Sequence, residues 1–386
     1  MRTVLRGHDI ICIAGVAWDT RRLSLHQYMR RMATANRVLW VDPAAPLPRG
    51  ARRGTGSLRH VVDGLFVATP PARLPLRFER PVAAVNQTTR AMFVRRAARR
   101  LGLSSPVLWL HDPDAAGQVR RLAPRISVAF LTDDHPTRHT FRSHRGYRLA
   151  AMRARERELL RAVDLVIATS PELAEAKRAF NANCHCVMHG VDSQLLGAAR
   201  RAETQPAPAV AALPAPVLGI VGQVNWRIDT ALVADLARAR PEWSLAFVGP
   251  VWEPTRRALS GVPNLHLLGE VPQAELPRWI KPMAVGLIPY VLDEHTRQMH
   301  PLKALEYLAA GKPVVATALP ALKAYWDHIE VVGRSDEFAR AIERALAEDG
   351  PERAAERARY AAARGWERGL EEISELVEVT GRRGGR

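Results

Sequence analysis

Short unbroken apolar runs, alternating with longer stretches of helical spacing, decide what this chain can fold into. In the first half, Ile10–Val16, Arg37–Val41, Gly64–Thr69, Val107–Leu110, Ile126–Leu131 and Leu165–Ala168 read as strands. Most lack the polar–apolar alternation of a half-exposed strand, so both faces must be covered, as in a parallel sheet flanked by helices. Between them Ser24–Ala35, Pro81–Leu101, Arg145–Val163 and Pro171–Asn181 carry the spacing of helices with one buried face. Strand and helix in repeated alternation predict a doubly wound α/β half.

Residues 197–216, GAARRAETQPAPAVAALPAP, are rich in Ala and Pro and lack apolar periodicity, so a linker is expected there. The pattern then resumes with strands Val217–Val221, Ser244–Val248, Leu265–Leu268, Val285–Pro289, Pro313–Thr317 and Glu330–Val332, and with helices Thr230–Arg238, Gln273–Lys281 and Pro301–Ala310. The expected organisation is an α/β domain over residues 1–196, the linker 197–216, a second α/β domain over 217–352, and closing helices over 353–380 that can pack back on the first domain. Open α/β sheets bind ligands beyond the carboxyl ends of their strands, so two in tandem predict a cleft facing both sets of strand ends.

A chain of 386 residues, 47% hydrophobic and 25% charged, can bury two such cores. Its 56 Lys and Arg against 39 Asp and Glu give a net charge of +17, unevenly spread: residues 1–200 hold 33 basic and 15 acidic residues, the remainder 23 and 24. Only five of the basic residues are lysines, so the skew reflects arginine-rich codon usage as much as chemistry and does not by itself assign nucleic acid as a partner. Three cysteines cannot build a disulfide framework, and Cys184-His185-Cys186 lacks the spacing of a zinc knuckle. Reduced thiols suit the cytoplasm. The run Ile10–Trp18 imitates a secretory leader, but Asp9 and Asp19 bracket it and no small-residue cleavage site follows, so it reads as a buried first strand. No run approaches the roughly 18 apolar residues needed to cross a bilayer, which leaves only peripheral membrane contact.

The segment Met299–Pro320, MHPLKALEYLAAGKPVVATALP, carries the most chemistry. Pro301 suits the first turn of a helix, Lys303 and Glu306 share a face three residues apart, Gly311 closes the helix, and Pro313–Thr317 forms the next strand. A helix N-terminus with a lysine favours an anion, and Glu306, one turn deeper, can accept hydrogen bonds from vicinal hydroxyls such as those of a ribose. The alternative is a solvated Lys–Glu pair on a surface helix. His111 directly follows a strand, at the cleft edge, and Asp133 and Asp134 follow another, where adjacent loop residues divide between binding a hydroxyl and capping a turn. Neither G-x-x-x-x-G-K-[ST] nor G-x-G-x-x-G occurs, which argues against a P-loop enzyme or a dinucleotide oxidoreductase.

Together with Val217–Gly222, Pro241–Pro250 and Pro263–Gly269, this segment resembles the GT-B glycosyltransferases of family 4. Asp9-Ile10-Ile11, Trp18-Asp19, Asp133-Asp134, Ala168-Thr169-Ser170-Pro171 and His189-Gly190-Val191-Asp192 are similar to the subgroup that includes teichuronic-acid-type polysaccharide enzymes. The resemblance implies two facing Rossmann-like domains, acceptor in the first and nucleotide-sugar donor in the second, and transfer with retention at the anomeric carbon. It implies no metal and no cofactor beyond the substrate, a UDP-, GDP- or dTDP-sugar. Asp112-Pro113-Asp114 spells a metal motif but lies away from the inferred donor site. Glu306 corresponds to the second, ribose-binding glutamate of the family's E-x7-E motif, while the first position holds Gln298, with Glu294 as a displaced alternative.

On this resemblance the donor set is Gly222, Arg227, Gln298, His300, Lys303 and Glu306, with Arg227 and Lys303 as cations for the departing diphosphate. His111 is the histidine that contacts the transferred sugar, its carbonyl assisting, and with Arg227 and Lys303 makes up the catalytic set. Trp18, His26, Asp133, Asp134 and His189 form the acceptor or sugar set, with Arg30 and Trp226 as further candidates. Arg90, Arg95, Arg96, Arg99 and Arg100, with Arg49, Arg52, Arg53, Arg59, Arg73, Arg77 and Arg80 in nearby loops, form a basic face suited to an anionic membrane or a lipid-linked acceptor. The expected function is transfer of a sugar to a cell-envelope glycan, lipid-linked or secondary-metabolite acceptor. The competing readings are a nucleotide-sugar 2-epimerase of the same architecture and a basic nucleic-acid-binding protein, for which no module is visible.

Overall fold

The computed structural model of the chain describes residues 5–20, 23–48, 52, 54–75, 80–134, 146–333 and 335–384. Arg49, Arg53, Arg77, Arg145 and the side chain of Arg80 lie outside the described part. The chain divides into two compact units, Met1–Met188 with Gly369–Arg386, and His189–Arg368.

The first unit holds strands β1 (Asp9–Ile13), β2 (Arg37–Val41), β3 (Ser57–Val62), β4 (Leu65–Thr69), β5 (Val107–Leu110), β6 (Ile126–Leu131), β7 (Leu165–Ala168) and β8 (Cys184–Cys186). They form one sheet in the order β3-β4-β2-β1-β5-β6-β7-β8, in which only the β3–β4 pair is antiparallel. β1, β5, β6 and β7 are buried along their whole length, as their unalternating apolar composition requires. β3, which has no apolar run to announce it, is an edge strand with mostly exposed residues. Asp9 and Arg37, opposed in the β1–β2 register, form a two-pronged ion pair at 2.7 and 2.9 Å. The end of helix Trp366–Gly384 returns to this unit, Glu378 meeting His8 at 3.1 Å and Thr380 meeting Asn183 at 3.2 Å.

The second unit holds β9 (Val217–Val221), β10 (Ser244–Val248), β11 (Leu265–Leu267), β12 (Val285–Ile288), β13 (Val314–Thr317) and β14 (Glu330–Val332), all parallel in the order β11-β10-β9-β12-β13-β14. This is the doubly wound order in which the first strand lies between the second and the fourth. Alternate residues feed two cores. Val217, Ala246, Ile288 and Val314 pack with helix Leu302–Ala309 on one face, and Leu218, Leu245, Leu287 and Val315 pack with helices Thr230–Ala239 and Phe338–Ala347 on the other.

The stretch 197–216 is not a linker. It forms short helical turns at Ala198–Arg200 and Pro208–Ala211, and Ala199 and Val210 are buried in the core of the second unit beside Ala309 and Ala310. Small apolar residues pack there without leaving a periodic pattern. The unit's two ends meet: the Val191 amide donates to the Arg364 carbonyl at 3.1 Å, and Val191 pairs with Gly365 as an isolated parallel bridge.

The close approach of helix Leu302–Ala309 to the sheet depends on glycine. A Cβ on Gly286 of β12 would lie 2.4 Å from the Tyr307 ring. Gly286→Ala is therefore expected to destabilise the chain by about 1–3 kcal/mol through overpacking, measured by urea unfolding.

Candidate functional site

In each unit the strand order reverses beside the first strand, and there the loops leaving neighbouring strands diverge and open a crevice at the carboxyl edge. In the second unit that point lies between β9 and β12. β9 is followed by Gly222, whose φ of +120° suits glycine, and the Lys303 stem lies against it: a Cβ on Gly222 would meet Lys303 Cε at 2.9 Å. Lys303 donates to Glu306, its neighbour one turn on, and Glu306 is almost fully buried.

The loop leaving β9 then folds back on itself. Arg227 donates from Nε to Asn225 Oδ1 at 3.2 Å and from its terminal nitrogen to Gln223 Oε1 at 3.1 Å. Both acceptors are neutral amides, so they orient the guanidinium without cancelling its charge. The loop is fastened to the chain leaving β12: Val291 donates to the Arg227 carbonyl at 2.8 Å, and the Trp226 ring meets His295 edge-on at 5.0 Å. Gly222, Lys303 and Glu306 thus meet at the carboxyl end of β9, and Arg227 lies on the loop that leaves the same strand. Gln298 stands a little before the helix in the turn Thr296–Gln298, its amide donating to the Glu294 carbonyl at 3.4 Å, while the Glu294 side chain is exposed.

His300 does not face a ligand, contrary to expectation. It is buried, and its Nδ1 accepts from the His189 amide at 3.2 Å, which leaves the Nε2–H to donate to the Tyr325 hydroxyl. The His189 ring stacks on it at 5.2 Å. Burial, and then the neighbouring His189, hold the His300 pKa well below its ordinary value. Both histidines brace the start of helix Leu302–Ala309. At its other end, the buried Arg357 donates twice to the Gly311 carbonyl, at 3.0 and 2.8 Å.

In the first unit the reversal lies between β1 and β5, and His111 stands there, its amide extending the ladder to the Ile13 carbonyl at 3.0 Å. Gly15 passes so close that a Cβ on it would meet His111 Nδ1 at 3.1 Å. His111 Nε2 lies 3.4 Å from Thr132 Oγ1, on the loop that carries Asp133 and Asp134. Asp133 is half-buried. Asp134 is committed elsewhere: with Glu156 it grips Lys177, at 2.5 and 2.6 Å, all three buried. Burial pushes the Glu156 carboxyl up despite Lys177. Lys177 is held above its ordinary value because Glu156 and Asp134 outweigh the burial that opposes its charge.

Trp18 and His26 are likewise structural. Their rings pack on Trp40 at 5.1 and 4.6 Å and on each other at 5.3 Å, and buried Asp42 accepts from the Trp18 amide at 2.8 Å, Trp40 Nε1 at 3.0 Å and Thr69 Oγ1 at 2.8 Å. His26 lies on the inner side of its helix, its Nδ1 accepting from the Leu23 amide at 3.2 Å. Arg90 leaves the expected basic face to pair with Asp112 at 2.5 Å, whereas Arg95, Arg96, Arg99 and Arg100 are largely exposed. Among the described residues no group of His, Cys, Asp and Glu is arranged to hold a metal, and no helix is long and apolar enough to cross a membrane. Cys184 and Cys186 lie in β8, their thiols pushed up to about 11 by burial.

Sequence reasoning missed Tyr307, Asp42 and the amide pair Gln223 and Asn225. The only local signal for the last is two amide side chains within four residues of an arginine.

Residues 215–348 match the family model described as glycosyl transferases group 1. The chain is 27% identical over 218 residues to a Bacillus subtilis (strain 168) protein named as the teichuronic acid biosynthesis glycosyltransferase TuaH, over 53% of this chain and 54% of that one. It thus spans about half the length of the curated relative it matches. Among solved structures, an alpha,alpha-trehalose-phosphate synthase (UDP-forming) from Burkholderia vietnamiensis superposes with a TM-score of 0.73 at 14% identity, over 98% of this chain and 100% of that one. Sucrose-phosphate synthase from Thermosynechococcus elongatus gives 0.70 at 16% identity, over 96% and 98%. An E. coli trehalose-6-phosphate structure bound with UDP-2-fluoro glucose gives 0.72 at 15%, over 95% and 99%. The fold is GT-B, with two Rossmann-like domains, and the resemblance read from the sequence to group 1 glycosyltransferases and the teichuronic-acid subgroup holds.

Two outcomes follow from the buried charges. With its folded pKa depressed, His300 stays neutral in the native state and takes a proton on unfolding below about pH 6.5. Its contribution is present above that pH and is lost as pH falls towards the folded value. Urea midpoints at pH 7.5 and 5.5 are expected to differ more for the wild-type chain than for His300→Asn. Lys177→Met, which leaves two carboxylates in a dry site, is expected to lose about 3–5 kcal/mol in the same assay at neutral pH.

Proposed function

We propose that the chain is a retaining glycosyltransferase that takes a sugar from a nucleotide-sugar donor, without a metal, and passes it to an envelope-glycan, lipid-linked or secondary-metabolite acceptor. The observation that carries this reading is Lys303, laid over Gly222 at the β9–β12 reversal and paired with Glu306. As the glycosidic bond breaks, negative charge collects on the diphosphate. A preoriented Arg227, Lys303 and the N-terminal end of helix Leu302–Ala309 stabilise that charge without reorganising. Glu306 then exchanges part of its bond to Lys303 for the ribose hydroxyls. His111, at the corresponding edge of the first unit, contacts the transferred sugar, and the departing phosphate oxygen takes the acceptor proton on the same face.

The UDP-sugar bound in the E. coli neighbour and the UDP-forming description of the Burkholderia vietnamiensis one make UDP-sugars the first donors to test. A ligand at about 100 times its Kd stabilises a protein by about 2.7 kcal/mol, enough to read in a thermal-shift screen of UDP, GDP, dTDP and their sugars. One nucleotide is expected to raise the wild-type Tm by several degrees. Lys303→Ala and Glu306→Ala should abolish that shift and reduce donor turnover at least a hundredfold. Full turnover by Glu306→Ala would refute the assignment.

A further inference from the structure

The β9–β12 ladder stops early. It pairs only Leu218 with Val285 and Gly219 with Gly286, although β9 runs on to Val221. Beyond that point the strands part, and the Val221 amide, which faces β12, is left without a strand partner in the interior. A single side chain takes it and adds a bond to the Gly219 carbonyl. The Tyr307 hydroxyl donates to the Gly219 carbonyl at 2.9 Å and accepts from the Val221 amide at 2.7 Å. Its ring is fully buried against Gly286, where any side chain would obstruct it.

Tyr307 is one turn beyond Lys303 on the same helix, and Val221 immediately precedes Gly222, over which Lys303 lies. The hydroxyl therefore sets the height and register of the helix against the strand end at the point where the cation must meet its ligand. The hydrogen bonds by which His300 and Arg357 hold the ends of the helix go to other segments of the second unit and leave its distance from β9 undetermined.

We propose that Tyr307 is a positioning residue of the donor site: its hydroxyl takes the place of the next strand-to-strand bond of β9, at the Val221 amide, and thereby holds Lys303 over Gly222 in register for a nucleoside diphosphate. This rests on the donor-site reading above. No contact between Tyr307 and substrate is involved; it acts through Lys303.

The test is a double-mutant cycle on the full chain, with UDP, GDP, dTDP and ADP as probes in titration calorimetry. Tyr307→Phe keeps the ring and removes only the hydroxyl. Against the best-bound nucleotide it is expected to lose about tenfold in affinity, and Tyr307→Phe with Lys303→Ala is expected to bind no more weakly than Lys303→Ala alone. A merely structural tyrosine would lower Tm and leave the two losses multiplicative. Multiplicative losses, or wild-type affinity in Tyr307→Phe, would overturn the proposal and leave the donor site intact. Failure of the wild-type chain to bind any of the four would instead overturn the donor-site reading itself. If Tyr307→Phe does not fold, hydrogen exchange on the wild-type chain decides. The Val221 amide must be protected like the interior of β9 and open together with the amides of helix Leu302–Ala309; exchange at the rate of a loop amide would refute the role.

Discussion

A parallel sheet can open a ligand crevice only where two neighbouring strands cease to pair, and the backbone groups freed there must find other partners. Where the β9–β12 pairing ends, the Val221 amide finds the Tyr307 hydroxyl, which donates in turn to the Gly219 carbonyl. Much else in the unit is arranged around it. Gly286 has no side chain so that the ring can enter, and the turns and helices packed around Leu302–Ala309 hold it at both ends. Lys303, Glu306 and the loop from Gly222 to Arg227 take their places from that framework.

The charges of the molecule fall into two kinds. Some are sealed in and neutralised, such as Lys177 between Asp134 and Glu156, or Asp9 under Arg37, and these fix loops and strand register. Others are left able to act. Arg227 is steered by two neutral amides and lies 5.8 Å from the centre of the Trp226 ring, and Lys303 is partly buried against Glu306. The second half of the chain is close to electrically neutral, so positive potential there comes from a few cations held in place. The arginine excess of the first half is in part consumed by internal pairing, as Arg37 and Arg90 show.

Lys303, Glu306 and Gly311 were legible because their relation is local: three residues apart on a helix, with a glycine at its end. The sheets were legible because their strands are apolar on both faces. What escaped the sequence depends on register between distant segments. Tyr307 meets a strand more than 80 residues earlier, and Lys177 meets Asp134 across 43, so spacing along the chain carries no trace of either. His26 reads from the sequence as an acceptor contact, yet its helix turns it towards Trp40. The segment 197–216 looked like a linker because alanine packing has no amplitude: Ala199 and Ala207 are buried but add nothing to a periodic pattern.

The bond between Val191 and Arg364 has a topological consequence. The second unit enters and leaves the chain at one place, residues near its two ends already tied by backbone. It is an insertion whose ends are closed before the first unit is considered, which is the geometry in which domains tolerate being moved, excised or recircularised. A chain built in this way can exchange one half in evolution without rebuilding the other.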